Sequence, residues 1–238
     1  MAIVDLKVSI PQSLSAIKLH QYQKYLEITK NVDSDSDDNE FLNLKALDIF
    51  CGLDLKESYN LPLSTFESVL DQLSKCFDEK TEFVQRFSMV GSDGVEAEFG
   101  FIPNLEKISF GEYIDLESYI SDWKNMHKAM AVMYRPIVAG KGEFYEIEPY
   151  QGSDRWSEVM KDAPVNVALG AIVFFYRLGK KLSKYTMNYL LEETRSKEGS
   201  PLPLDSAKSG DGISQYMVLL EVMYEELMKL PKFHYTPA

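Results

Sequence analysis

The chain has 238 residues, 45% of them hydrophobic and 12% aromatic, and a formal net charge of −12. That apolar content suffices for a folded core, which argues against wholesale disorder. The acidic surface repels nucleic-acid phosphates and anionic lipid, so neither nucleic acid nor membrane is expected as a partner, and a basic protein is favoured instead.

The N-terminal "MAIVDLKVSIPQ" has no basic stretch followed by an apolar run, so no signal peptide is expected. Residues 3–10 alternate loosely and stop at Pro11, the pattern of an edge strand. Leu19, Tyr22, Leu26 and Thr29 then follow helical spacing and predict a helix from Lys18 to Thr29. "NVDSDSDDNE" (31–40) is too polar to bury and predicts an acidic loop. Helices are expected at 41–51 and 63–77, the second announced by Pro62, an N-cap at Ser64 and a capping-box partner at Glu67. "FVQRFSMVGSDGVEAEFGFIP" reads as a β-hairpin turning at "GSDG".

The clearest periodicity follows. Tyr113, Leu116, Ile120, Trp123, His127, Met130 and Tyr134 alternate steps of 3 and 4, an a/d seam flanked by a second stripe of Tyr119, Met126 and Met133. It predicts one long helix from about 112 to 134, packed by several neighbours and stopped by Pro136. A short extended piece is expected at "EFYEIEPY" and a helix at 153–161. "VNVALGAIVFFYRLG" predicts a helix buried on nearly all sides, its apolar run before Arg177 shorter than the roughly 20 residues that span a bilayer. Further helices at 183–195 and 213–230 flank a loop at 196–212. The expected class is mainly α with a small antiparallel β-sheet, an α+β chain with a multi-helix bundle-like core. It reads as one globular domain over 1–238, or two sub-lobes of about 1–100 and 101–238, with mobile loops near 32–40 and 196–212.

Few residues carry chemistry by spacing alone. Asp33, Asp35 and Asp37 open like a calcium loop, but Asp38 stands where glycine is needed and Leu44 where a bidentate glutamate is needed, so a solvated acidic loop is expected. Glu112, Asp115, Glu117 and Asp122 form a carboxylate cluster that helix-start electrostatics explains. His127 sits alone on the apolar seam, with no nucleophile motif and no Glu-x-x-His pair. Cys51 and Cys76 lie in apolar helical contexts and read as buried thiols of a reducing compartment. The basic run Arg177, Lys180, Lys181 and Lys184 fits either a helix C-terminus or contact with an acidic partner. No Walker or Rossmann glycine pattern occurs. No cofactor, metal or catalytic residue is assigned.

One phrase occurs twice. Leu14, Ile17, Leu19 and Tyr22 align with Leu105, Ile108, Phe110 and Tyr113 at a constant offset of 91, each copy following an Ile-Pro pair. A duplication, a shared local packing solution and chance all remain open. The stretches "IPQSLSAIKLHQYQKYLEI" and "GFIPNLEKISFGEYIDLESYISDWKNMHKAMAVMYRPI", with "YEIEPYQG" and "NVALGAIVFF", resemble small acidic morphogenesis proteins of tailed bacteriophages. These include tail assembly chaperones and baseplate-hub assembly factors of T4-like phages. The resemblance spans roughly residues 8–230. It implies a non-enzymatic protein of the host cytoplasm that holds a tail, hub or tape-measure protein until assembly. A structural virion component of the neck or baseplate is the alternative. An enzyme is a third, with Glu112, Asp115, His127, Tyr134 and Arg135 as the place to look. The expected partner face comprises Tyr119, Met126, Met130, Met133, Met217 and Tyr224, an adaptable apolar surface on which a client helix would lie.

Overall fold

A computed structural model describes residues 8–30, 36–90, 94, 96–141 and 144–177. Residues 8–10 form no strand, and the rest of the expected edge strand lies outside the described residues. Helix α1 (Leu19–Thr29) follows a 3-10 turn at Leu14–Ala16 and buries Leu19, Tyr22, Tyr25 and Leu26. Helix α2 (Ser36–Ala46) occupies the second half of the expected acidic loop, while residues 31–35 lie outside the described residues. Carboxylates at a helix start are favoured by the macrodipole, and the buried Leu44, Ala46 and Leu47 downstream anchor the helix. It runs into a π-helical turn (Leu47–Cys51) that ends where Gly52 takes φ +70.

Helix α3 (Leu55–Tyr59), not foreseen, starts from a reciprocal box in which Glu57 N–H donates to Asp54 Oδ1 at 2.7 Å and Asp54 N–H donates to Glu57 Oε2 at 3.0 Å. Helix α4 (Leu63–Phe77) begins at Leu63 behind Pro62, so Ser64 lies inside the first turn instead of capping it. Proline's fixed φ sets up the start without a side-chain cap.

The sheet is antiparallel throughout, in the order β1 (Arg86–Val90), β2 (Glu96–Phe101), β3 (Tyr134–Lys141) and β4 (Phe144–Ile147). The first hairpin pairs Phe87 with Phe99 and Val90 with Glu96. Together with the helices this makes an α+β fold.

The largest departure is at 112–134, where one helix was expected. Helix α5 (Phe110–Tyr119) ends in a turn, and a 3-10 turn (Trp123–Asn125) restarts the chain. Helix α6 (Met126–Met133) then passes directly into β3. The Asp122 carboxylate accepts the Lys124 N–H at 3.0 Å and caps the restart. Of the seam residues, Leu116, Ile120, Trp123, Met130 and Tyr134 are buried as expected, but from several elements, whereas Tyr113 is exposed and His127 half-buried. Pro136 does not stop a helix. It lies within β3, opposite Phe99, where β3 leaves β2 and begins to pair with β4. Such a hand-over tolerates a residue without N–H, and its carbonyl accepts the Glu148 N–H at 2.9 Å.

Helices α7 (Asp154–Met160) and α8 (165–177) complete the described fold. Phe83 stacks on Phe174 with ring centroids 4.4 Å apart, and Phe101 meets Tyr134 at 5.2 Å. One hydrophobic cluster runs from Leu14 to Phe175. Cys51 and Cys76 are buried free thiols, and burial pushes each up to about 11, out of reactive range. No described helix is long and apolar enough to cross a membrane. The expected elements at 183–195, 196–212 and 213–230 lie outside the described residues.

Gly170 lies on α8 where an added Cβ would strike the Glu82 carbonyl. A backbone atom cannot swing aside, so Gly170→Ala is expected to cost about 1–3 kcal/mol, read as a lower urea midpoint at unchanged m-value.

Candidate functional site

The two echoed phrases fold alike. Each makes a 3-10 turn, Leu14–Ala16 or Leu105–Lys107, and then a helix starting at Leu19 or Phe110, at the same offset of 91. In both, the side chain three residues into the helix caps the residue before it. Lys18 N–H donates to Gln21 Oε1 at 2.9 Å, and Ser109 N–H donates to Glu112 Oε2 at 2.7 Å. The surroundings differ. Leu14, Ile17, Leu19 and Tyr22 are all buried, with the Tyr22 ring 5.1 Å from Trp123 and 6.1 Å from Phe77. In the second copy Phe110 is 80% exposed, and Tyr113 and Ile114 face solvent beside it.

Beneath this outer face α5 is fastened tightly. The second Glu112 carboxylate oxygen lies 2.6 Å from Arg135 Nη1, with both side chains only 7% exposed. Burial alone would raise the Glu112 carboxyl. Hydrogen bonds from Ser109 and the Arg135 guanidinium outweigh it and hold the group below the ordinary glutamate range. Arg135 lies over the Tyr150 ring at 5.3 Å, and the Tyr150 hydroxyl donates to Asp115. Of the four clustered carboxylates, Glu112 and Asp115 thus hold the fold, Asp122 caps a turn and Glu117 is exposed. Three of the five residues singled out for an enzymatic site, Glu112, Asp115 and Arg135, do converge. Tyr134 is fully buried with its hydroxyl on the Val84 carbonyl at 2.7 Å, and His127 lies elsewhere.

His127 borders a half-open cleft of about 570 Å³ between α1 and the start of α6. Its Nδ1 is 3.2 Å from Gln23 Nε2, which also donates to the Trp123 carbonyl. Lys24, Lys30, Lys124 and Lys161 line the cleft with His20, Glu27 and Asp122, while Lys161 also pairs with Glu158 at 2.8 Å and His20 lies 3.5 Å from Asp162. Burial, and next the Lys161 charge, lower the His127 pKa below the ordinary imidazole value. Among the described residues no group of three metal-ligating side chains occurs. Asp33 and Asp35 lie outside the described residues and Asp37 is in α2.

The expected partner face is corrected by burial. Met126, Met130 and Met133 are 0% exposed inside the protein's own core and offer nothing to a partner in this fold. Their helix is short and buries every residue except His127 and Lys128, which seam spacing does not reveal. Tyr119 is half-buried with the Lys128 ammonium 5.3 Å from its ring. Met217 and Tyr224 lie outside the described residues. The exposed trio Phe110, Tyr113 and Ile114 was missed as a surface. Its signal was present: Phe110 and Ile114, four residues apart, extend the apolar surface of α5 beyond the stripe that buries Leu116, and Tyr113 lies at the edge of that stripe. No protein-family model, curated protein or solved structure matches the chain.

Glu112→Gln leaves the buried Arg135 charge uncompensated and is expected to cost about 3–5 kcal/mol, whereas replacing both partners with apolar residues costs much less. Because the folded state holds the Glu112 pKa below its unfolded value, its contribution is complete above the ordinary glutamate value of about 4.3 and is lost as pH falls below it. Urea midpoints across an acid pH series should show this slope in the wild type and lose it in Glu112→Gln. For His127, an NMR titration should find the ring neutral at pH 7, with a midpoint below the ordinary ~6.5 that rises in Lys161→Ala.

Proposed function

We propose that this chain is a non-enzymatic partner-binding protein of phage morphogenesis, which shields a tail, baseplate-hub or tape-measure polypeptide in the host cytoplasm until assembly. The observation that carries the reading is the outer face of α5, where Phe110, Tyr113 and Ile114 stand in solvent on a helix that its other side holds rigid. A surface that does not move on binding loses little entropy when a client arrives. Covering Phe110 alone is worth about 1.5–3 kcal/mol. The net charge of −12 supports the same reading, because it keeps a chain with exposed aromatics soluble and steers a basic client toward it. The likeness of the two echoed phrases to phage assembly proteins supplies the client class.

The test is an affinity pull-down of the tagged full chain from cells expressing its native neighbours, followed by mass spectrometry, with Phe110→Asp in parallel. The wild type should recover a tail, hub or tape-measure protein, and Phe110→Asp should lose it by about tenfold or more while unfolding within about 0.5 kcal/mol of wild type. Recovery of the chain alone would sink the reading. Retention of the chain in purified particles would make it a virion component instead.

A further inference from the structure

The first copy of the repeated phrase shows what its fold receives. There the chain's own segment Lys161–Val165 lies across the start of α1 as an antiparallel bridge, pairing Pro164 with Lys18. Leu19 N–H donates to the Ala163 carbonyl at 2.8 Å, Val165 N–H to the Ile17 carbonyl at 2.8 Å, and His20 N–H to the Lys161 carbonyl at 2.9 Å. Ala163 and Val165 are fully buried by this contact. The residue opposite Lys18 directs its own nitrogen away from the bridge, so proline loses nothing there.

In the second copy the equivalent backbone groups have no such partner among the described residues. Among the described residues no hydrogen bond reaches the Ile108 carbonyl or the N–H groups of Phe110 and Gly111. Ser109, the counterpart of Lys18, is exposed, as are Phe110 and Gly111. Tyr150, held by Asp115, stands beside Gly111 as a side wall. The outer face also changes in one telling position: the buried Leu26 of α1 corresponds to the exposed Glu117 of α5. A carboxylate there suits a cover that arrives from water and brings positive charge.

We infer that the second copy is a docking site for an extended segment of a partner protein, seated on Ile108–Gly111 as Lys161–Val165 is seated on Ile17–His20. The segment carries a small residue and a β-branched residue around a position that admits proline, with a lysine or arginine near Glu117. Two backbone hydrogen bonds at Ser109's flanks set its register, and Phe110, Tyr113 and Ile114 supply the apolar contact. This rests on the partner-binding reading above and adds the mode and chemistry of the partner.

The probe is a labelled synthetic peptide of the chain's own sequence 159–167, VMKDAPVNV, titrated into the full-length protein by fluorescence anisotropy. It should bind, with Phe110→Asp weakening it by about tenfold or more. A probe N-methylated at the valine corresponding to Val165 lacks the N–H meant for the Ile108 carbonyl and should also weaken by about tenfold. A probe with alanine in place of its proline should bind within about threefold. No binding up to about 1 mM, or binding indifferent to either Phe110→Asp or N-methylation, overturns the inference. If the pull-down above still loses its partner in Phe110→Asp while the peptide fails, the partner-binding reading stands and only the extended mode falls. If the peptide binds as expected but the pull-down recovers nothing, the surface is real and the assembly reading is wrong.

Discussion

A dry ion pair sets the attitude of α5. Glu112 and Arg135 meet at 2.6 Å out of water, and Arg135 comes from the second residue of β3, the strand that follows the buried α6 without a loop. Charges in that setting tolerate little displacement, because separating them leaves each desolvated and unpaired. The same carboxylate also accepts the Ser109 N–H and so fixes where the helix begins. Sheet, core helix and surface helix are locked through one side chain. The side of α5 opposite Glu112 has no choice but to face outward, and Phe110 and Ile114 go with it.

The repeated phrase separates two kinds of information in a sequence. Its local geometry is encoded locally: an apolar pin, a 3-10 turn, a capping side chain at the third helical position and an aromatic one turn in. Both copies execute it with the same spacing. Burial is not encoded there. Tyr22 is covered because Trp123 and Phe77 happen to lie above it, and no such neighbour among the described residues comes to Phe110. The same words mean core in one place and surface in the other.

That distinction explains which expectations held. The hairpin at 86–101, helices α1, α4 and α7 and the buried α8 were legible, since each depends on periodicity within one short segment. The seam from Tyr113 to Tyr134 was read as one helix because its spacing is helical throughout. Steps of 3 and 4 are equally satisfied by α5, a 3-10 turn and α6 in succession, provided all three lie on one core. The break is marked by Asp122, a residue that caps as readily as it decorates a helix surface. The acidic stretch was read as loop from its own composition, yet from Ser36 onward the apolar residues after it decide its helicity. The candidate surface was legible in identity but not in exposure. Phe110 and Tyr113 were singled out by the echo, whereas methionines with the right spacing turned out to fill the centre of the protein, where that flexible side chain suits irregular gaps.

The proline in β3 has a mechanical side. At Pro136 the strand ends its three-residue register with β2 and starts pairing with β4. The sheet is therefore two hairpins stitched by a seam only Phe99–Phe101 and Tyr134–Pro136 wide. A sheet built that way carries shear poorly from one edge to the other. Tension applied at the β3–β4 tip, where Phe144 is exposed, would be taken up at the seam before it reached β1. The α5 face, pinned to Arg135 within that seam, would feel a pull along β2 or β3 more directly than one on β4.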